Sequence, residues 1–189
     1  PNTFTSDTYY FDNLDSYCSA VVPPALVKCS SFENFDEAGT VTKNALTTGT
    51  LTEVANPGSN SVNNSALVGK YDRKGTEQYD VLFYDVTSVA NGNDYKNGTK
   101  KFSMDVYTSA PIGSEIYLQL ETAASAPDNY PTGRQSRYIA TVAQNAVWHR
   151  LEFSLLDAPD AGASPTAITK MVILFKPNTF TSHTYYFDN

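Results

Sequence analysis

KFSMDVYTSAPIGSEIYLQLET, residues 101–122, decides the fold class. Phe102, Met104 and Val106 fall on one face of an extended chain, and Ile116, Leu118 and Leu120 on one face of a second, with the turn cluster APIG between them. Alternation of apolar and polar residues with period two marks strands that bury one face. The pattern spreads outward from there. Leu151, Phe153 and Leu155 alternate with Arg150, Glu152 and Ser154, and Ile168 to Phe175 is a continuous apolar run suited to a central strand. Turn clusters at 56–60, 91–94, 97–99 and 128–133 separate these runs, and helical periodicity is nearly absent. The predicted fold is all-β, a two-sheet antiparallel β-sandwich of the jelly-roll kind.

Composition agrees with a packed domain. Of 189 residues, 41% are hydrophobic and 13% aromatic but only 17% charged, which is too apolar for a disordered chain. Thirteen Lys and Arg against twenty Asp and Glu give a net charge of −7, which argues against binding nucleic acid through its phosphates. The longest apolar run is far short of the ~20 residues a membrane-spanning helix needs, so no membrane insertion is expected.

The two ends repeat. Residues 1–13 read PNTFTSDTYYFDN and residues 177–189 read PNTFTSHTYYFDN, identical except for Asp7 against His183. Similarity at an offset of 176 residues is domain-length and points to a tandem array. The chain, which begins at Pro1, then divides into the last strand of a preceding repeat (1–13), a linker (14–29) and the sandwich (30–189). One module offers one place for that final strand, so the spare copy is expected to fray or to exchange into a neighbouring chain. The linker holds Cys18 and Cys29, whose spacing matches no zinc pattern and closes a small disulfide loop if the compartment is oxidising.

The ordered set SSFENFDE, NPGSNSVNNSALVGKYDR, KFSMDVYTSAPIGSEIYLQLE, AVWHRLEFSL and HTYYFDN resembles the calcium-containing β-sandwich carbohydrate-binding modules of family 4/9/16/22 type. Such modules accompany secreted or cell-surface polysaccharide-degrading proteins of bacteria, so the resemblance implies a secreted or cell-surface location. It also implies a structural calcium ion joining first strand to last, here through Glu33 and Asp188 with Asn64 from the intervening loop; calcium takes six to eight oxygen ligands. Read as ordinary strand-end carboxylates, Glu33 and Asp188 would need no metal.

Modules of this kind stack aromatic rings on sugar faces and bond the hydroxyls with amides, carboxylates and Arg forks. The solvent side of residues 115–122 offers Tyr117, Gln119 and Glu121. The loop PDNYPTGRQSRY offers Asp128, Asn129, Tyr130, Arg134 and Arg137, and GKYDRKGTEQYD offers Tyr71, Arg73 and Tyr79. The competing reading gives the Arg residues to nearby carboxylates and Tyr130 to the sandwich edge. Trp148 is assigned to packing, and Tyr185 and Phe187 to the inner face of the last strand.

Only two His occur, His149 and His183, and no nucleophile elbow, zinc-protease motif or phosphate loop is present. The expectation is a non-enzyme: a polysaccharide-binding module, for β-glucan or alginate, repeated so that weak sites add by multivalency. The alternative is a structural repeat of an extracellular adhesin or filament whose neighbouring repeats or identical chains are joined by strand exchange.

Overall fold

The computed structural model describes residues 27–189. The first repeat copy and Cys18, and with it the Cys18 to Cys29 pairing, lie outside the described residues. Eleven strands and one short helix make up the rest: β1 (Val41–Leu46), β2 (Thr50–Ala55), β3 (Leu67–Asp72), β4 (Val81–Val86), α1 (Asn93–Lys96), β5 (Ser103–Thr108), β6 (Glu115–Thr122), β7 (Arg134–Thr141), β8 (His149–Glu152), β9 (Ser154–Asp157), β10 (Ile168–Phe175) and β11 (Thr184–Asp188).

They form two antiparallel sheets. One has six strands in the order β1-β4-β10-β6-β7-β9, the other five in the order β2-β3-β11-β5-β8. The predicted sandwich is what the chain adopts. Alternation is the cause: Ile116, Leu118 and Leu120 of β6, and Met104 and Val106 of β5, are turned inward and no more than 6% exposed. Aromatic rings fill the space between the sheets. Phe175 lies 5.1 Å from Tyr71, 4.6 Å from Tyr185 and 5.5 Å from Phe187, and Phe102 stacks on Tyr95 at 4.0 Å.

The apolar run of β10 is explained by position. It is flanked by β4 and β6, and Val172 and Leu174 are buried on its outer side as Met171, Ile173 and Phe175 are on its inner side. Likewise β11 places Tyr185 and Phe187 inward and Tyr186 outward, against Tyr107. Trp148 is 2% exposed and has the packing role expected, but on the outer side of the five-stranded sheet. There it lies 5.8 Å from Tyr107 and donates from Nε1 to Asn56 Oδ1 at 2.9 Å. The alternation read as one strand over 150–155 belongs to two. It pairs with β5 as β8 and, past Phe153, with β7 as β9, so the chain changes sheets at that residue. NGND at 91–94 opens the short helix rather than a simple turn.

Candidate functional site

The outer face of the six-stranded sheet gathers most of the expected residues. Side chains in register across strands share a face, and one row reads Phe83, Val172, Gln119, Arg137, Asp157 while the next reads Val81, Leu174, Tyr117, Ile139. An apolar floor from β4 and β10 thus runs into an aromatic and guanidinium edge on β6 and β7. Arg137 sits in the middle of that edge. Its guanidinium carbon is 5.9 Å from the ring centres of both Tyr117 and Tyr130, and its fork grips Asp157 through Nε at 2.7 Å and through Nη2. That pairing holds the Asp157 carboxyl below its ordinary range. The Tyr117 hydroxyl donates to Glu115 at 3.0 Å, and burial, helped by that bond, raises its pKa.

Tyr130 and Tyr79 are the rings offered to solvent, 56% and 54% exposed. Tyr79 lies near enough to Tyr117 to oppose ionisation of that phenol. Tyr130 is carried by a loop built to hold it. Arg134 Nη1 donates to Asn129 Oδ1 (2.6 Å) and the Thr132 carbonyl (2.8 Å), Nη2 to the Ala126 carbonyl (2.6 Å), and Nε lies 3.5 Å from Glu121. Gly133 has φ +78°, and a Cβ there would come within 2.6 Å of the Ser125 nitrogen, so only glycine closes this turn.

Several expected binding residues are therefore corrected. Tyr71 is 0% exposed, its ring stacked on Phe175. Glu121 is 3% exposed and faces Arg134, while Arg134 and Asn129 bond to the loop itself, so these three position Tyr130 rather than reach for a ligand. Arg73 is 1% exposed, its guanidinium ringed by the carbonyls of Phe175, Thr179, Thr181, Glu77 and Gln78. Asp128 is exposed on the same loop. Tyr117, Gln119 and Arg137 remain together on one face, with Tyr130 over Arg137 and Tyr79 near Tyr117. Sequence reasoning missed Asp157, which lies beyond the sheet crossing at Phe153, where continued alternation gives no sign that the chain has moved beside β7.

At the expected calcium position, Glu33 and Asp188 border one small cavity with Asn189. Asn64 is exposed; its neighbour Asn63, 1% exposed, is the residue that meets Asp188, donating at 2.6 Å. The turn decides this, because the Asn60 side chain accepts from the Val62 and Asn63 amides and turns Asn63 inward. Asp188 also accepts from Ser65 and from Asn189. Its carboxyl is pushed upward by burial, against the Ser65 and Asn63 bonds and with the nearby Asp105 adding to the rise. It is thus a buried acid with neutral partners and no basic side chain bonded to it among the described residues. Glu33 accepts two amides on Oε1 and bonds to no described residue through Oε2. No three His, Cys, Asp or Glu gather into a metal-holding group among the described residues. Glu33 Oε2 is nonetheless a hard oxygen donor that suits calcium, and Asp188 would join it by exchanging its present hydrogen-bond donors for the ion.

Comparison with solved structures follows this geometry. A family 11 carbohydrate-binding module of the cellulosomal cellulase Lic26A-Cel5E of Clostridium thermocellum superimposes with a TM-score of 0.52 at 13% identity, over 85% of this chain and 91% of that one. The fold is that of a carbohydrate-binding-module β-sandwich. The C. thermocellum family 11 module in complex with a β-1,3-1,4-mixed-linked tetrasaccharide matches equally, with 92% of that chain covered. A family 30 module gives 0.51 at 10% identity over 85% of this chain and 86% of that chain. An exo-β-agarase gives 0.51 at 10% identity, with 25% of that enzyme covered. No protein-family model and no curated protein matches the sequence. No helix among the described residues is long and apolar enough to cross a membrane.

Proposed function

We propose that this chain is a non-catalytic polysaccharide-binding module of a secreted or cell-surface protein, with a glycan lying across the outer face of the six-stranded sheet. The observation that supports it is the grouping of Tyr117 and Tyr130 around Arg137, with Tyr79 near Tyr117, on a face floored by apolar residues. Rings supply stacking surface, while Gln119 and the remaining Arg137 donors supply hydrogen bonds to hydroxyls. Both face arginines are already matched by acids, Arg137 by Asp157 and Arg134 by Glu121. A polyuronate such as alginate would find no unmatched arginine there, so the reading favours a neutral glycan of the β-glucan class. Affinity electrophoresis and calorimetry against mixed-linkage β-glucan, other neutral glucans and alginate test it. Binding to a neutral glucan with weak or no alginate binding is expected; failure to bind any of them refutes the reading, and tighter alginate binding refutes the neutral preference.

A structural calcium ion at Glu33 and Asp188 belongs to the same proposal; Asn63 presents its amide nitrogen to Asp188 and its oxygen to Asn56, so it is not counted among the ligands. Bound there the ion would neutralise a buried carboxylate and join the segment before β1 to β11. The 12-of-13 identity of the two ends supports a second reading alongside the first, a repeat joined to identical modules.

A further inference from the structure

The second end copy fills a central place in the fold. β11 lies between β3 and β5, and Tyr185 and Phe187 are 0% and 3% exposed. The backbone leading into it is clamped by Arg73, whose guanidinium donates to the carbonyls of Thr179 (2.7 Å) and Thr181 and whose amide donates to the carbonyl of His183 (3.0 Å). Every side chain of that segment except the one at 183 has an identical counterpart in residues 1–13. Thr3 and Thr5 would present the same carbonyls to Arg73, and Tyr9 and Phe11 the same rings to the core.

The single difference falls where it alters the electrostatics. His183 Nε2 is 3.3 Å from Lys176 Nζ. Burial, with Lys176 and Arg73 adding to it, holds the imidazole below its usual pKa. Aspartate at that position, as at Asp7, would face the same two cations with opposite charge, so the first copy suits the slot better than its occupant. The link from β10 to β11 also carries strain: Lys176 and Asn178 have φ +50° and +61°, in the left-handed region that residues with a Cβ adopt rarely. A strand arriving from another chain is not tied to β10 through Lys176 and does not impose that conformation on it.

We propose that residues 1–13 are a donor strand for the β11 slot of a second copy of this chain, displacing that copy's residues 177–189 and joining copies head to tail. Such an interface uses different surfaces on the two partners, so it is heterologous and builds open chains or rings of copies. It involves the five-stranded sheet and is independent of glycan binding.

Cross-strand disulfide trapping tests it. Thr184 stands opposite Asp72, and Thr8 is its counterpart. On a C18S/C29S background, T8C chains and D72C chains are refolded together from denaturant and oxidised, and linked peptides are identified by mass spectrometry. A T184C/D72C chain reports the slot's own geometry. The expected result is an interchain link between positions 8 and 72, reduced several-fold when the T8C chain also carries D7H. A yield no higher than with an exposed S59C acceptor overturns the proposal, and a yield unchanged by D7H overturns its electrostatic part. In parallel, light scattering on the refolded unmodified chain should show concentration-dependent oligomers that vanish when residues 1–13 are removed; monomers in both cases overturn it.

Discussion

Replacing Tyr130 with Ala separates binding from folding better than any other change on the face. The ring is 56% exposed, which for a side chain that can bury about 150–250 Å² leaves on the order of 100 Å² facing solvent. A pyranose covering one side of the ring would remove about half of it from water. At about 25 cal/mol per Å², that is about 1.3 kcal/mol, close to tenfold in Kd. The loop should survive, because it is held by Arg134, Asn129 and Gly133 rather than by the phenol. The assay is calorimetric titration of the folded variant with mixed-linkage β-glucan, with urea unfolding in parallel. Weakening of about tenfold with stability changed by less than about 0.5 kcal/mol is expected, as for a surface substitution. Undiminished affinity in a folded Y130A chain, with Y117A also binding normally, would refute the placement of the glycan on this face.

Arg73→Lys should destabilise the chain by about 3–5 kcal/mol in urea unfolding, since a point charge cannot serve the ring of carbonyls that the guanidinium fork reaches. Asp80 accepts from the amides of Lys74, Thr48 and Gly49, and although burial pushes its pKa up, these bonds win and hold it below the ordinary value. Its contribution is therefore present above pH ~4 and lost as pH falls through the folded value. Asp80→Ala should cost about 3 kcal/mol at pH 7, with the gap from the parent closing in acid unfolding series below pH 4. Millimolar calcium should raise Tm at pH 7 and EDTA reverse it, with the shift abolished in Glu33→Gln; differential scanning fluorimetry reads it, and no calcium response in the parent removes the ion from the reading.

The fold was legible where one signal sufficed. The alternation in β5, β6 and β11 and the unbroken apolar run of β10 each specify a face or a central position locally. Errors arose where burial depended on residues distant in sequence. Tyr71 looked like a loop residue because Gly69 and Lys70 interrupt the apolar pattern. Gly69 is present because the Phe35 ring rests on it, 2.3 Å from where a Cβ would stand, and no local pattern announces that contact. Glu121 and Arg134 could be seen as opposite charges, but only the pairing of β6 with β7 shows that they neutralise each other under the Tyr130 loop. Of two adjacent asparagines, only the Asn60 turn decides that Asn63 faces inward.

The two proposals draw on opposite sheets, and this bears on how they combine. Tyr117 and Arg137 lie on the outer face of the six-stranded sheet with Tyr130 over Arg137, whereas β11 lies in the five-stranded one. Exchanging β11 for an identical strand leaves the register of β4, β10, β6 and β7 unchanged, so a chain of modules joined by exchange would present one intact glycan face per copy. Linked sites of modest affinity then bind a long polymer together, with avidity set by their spacing rather than by new contacts. One residue bridges the sheets at the point of exchange. Arg73 bonds the Phe175 carbonyl at the end of β10 and the Thr179 and Thr181 carbonyls of the exchanged segment. Its bonds to Phe175, Lys74, Glu77 and Gln78 belong to the acceptor whatever strand fills the slot, while Nη1 to Thr181 and Nη2 to Thr179 hold the strand itself. Weakening this clamp should therefore loosen the exchanged strand and leave glycan affinity at the face where it was.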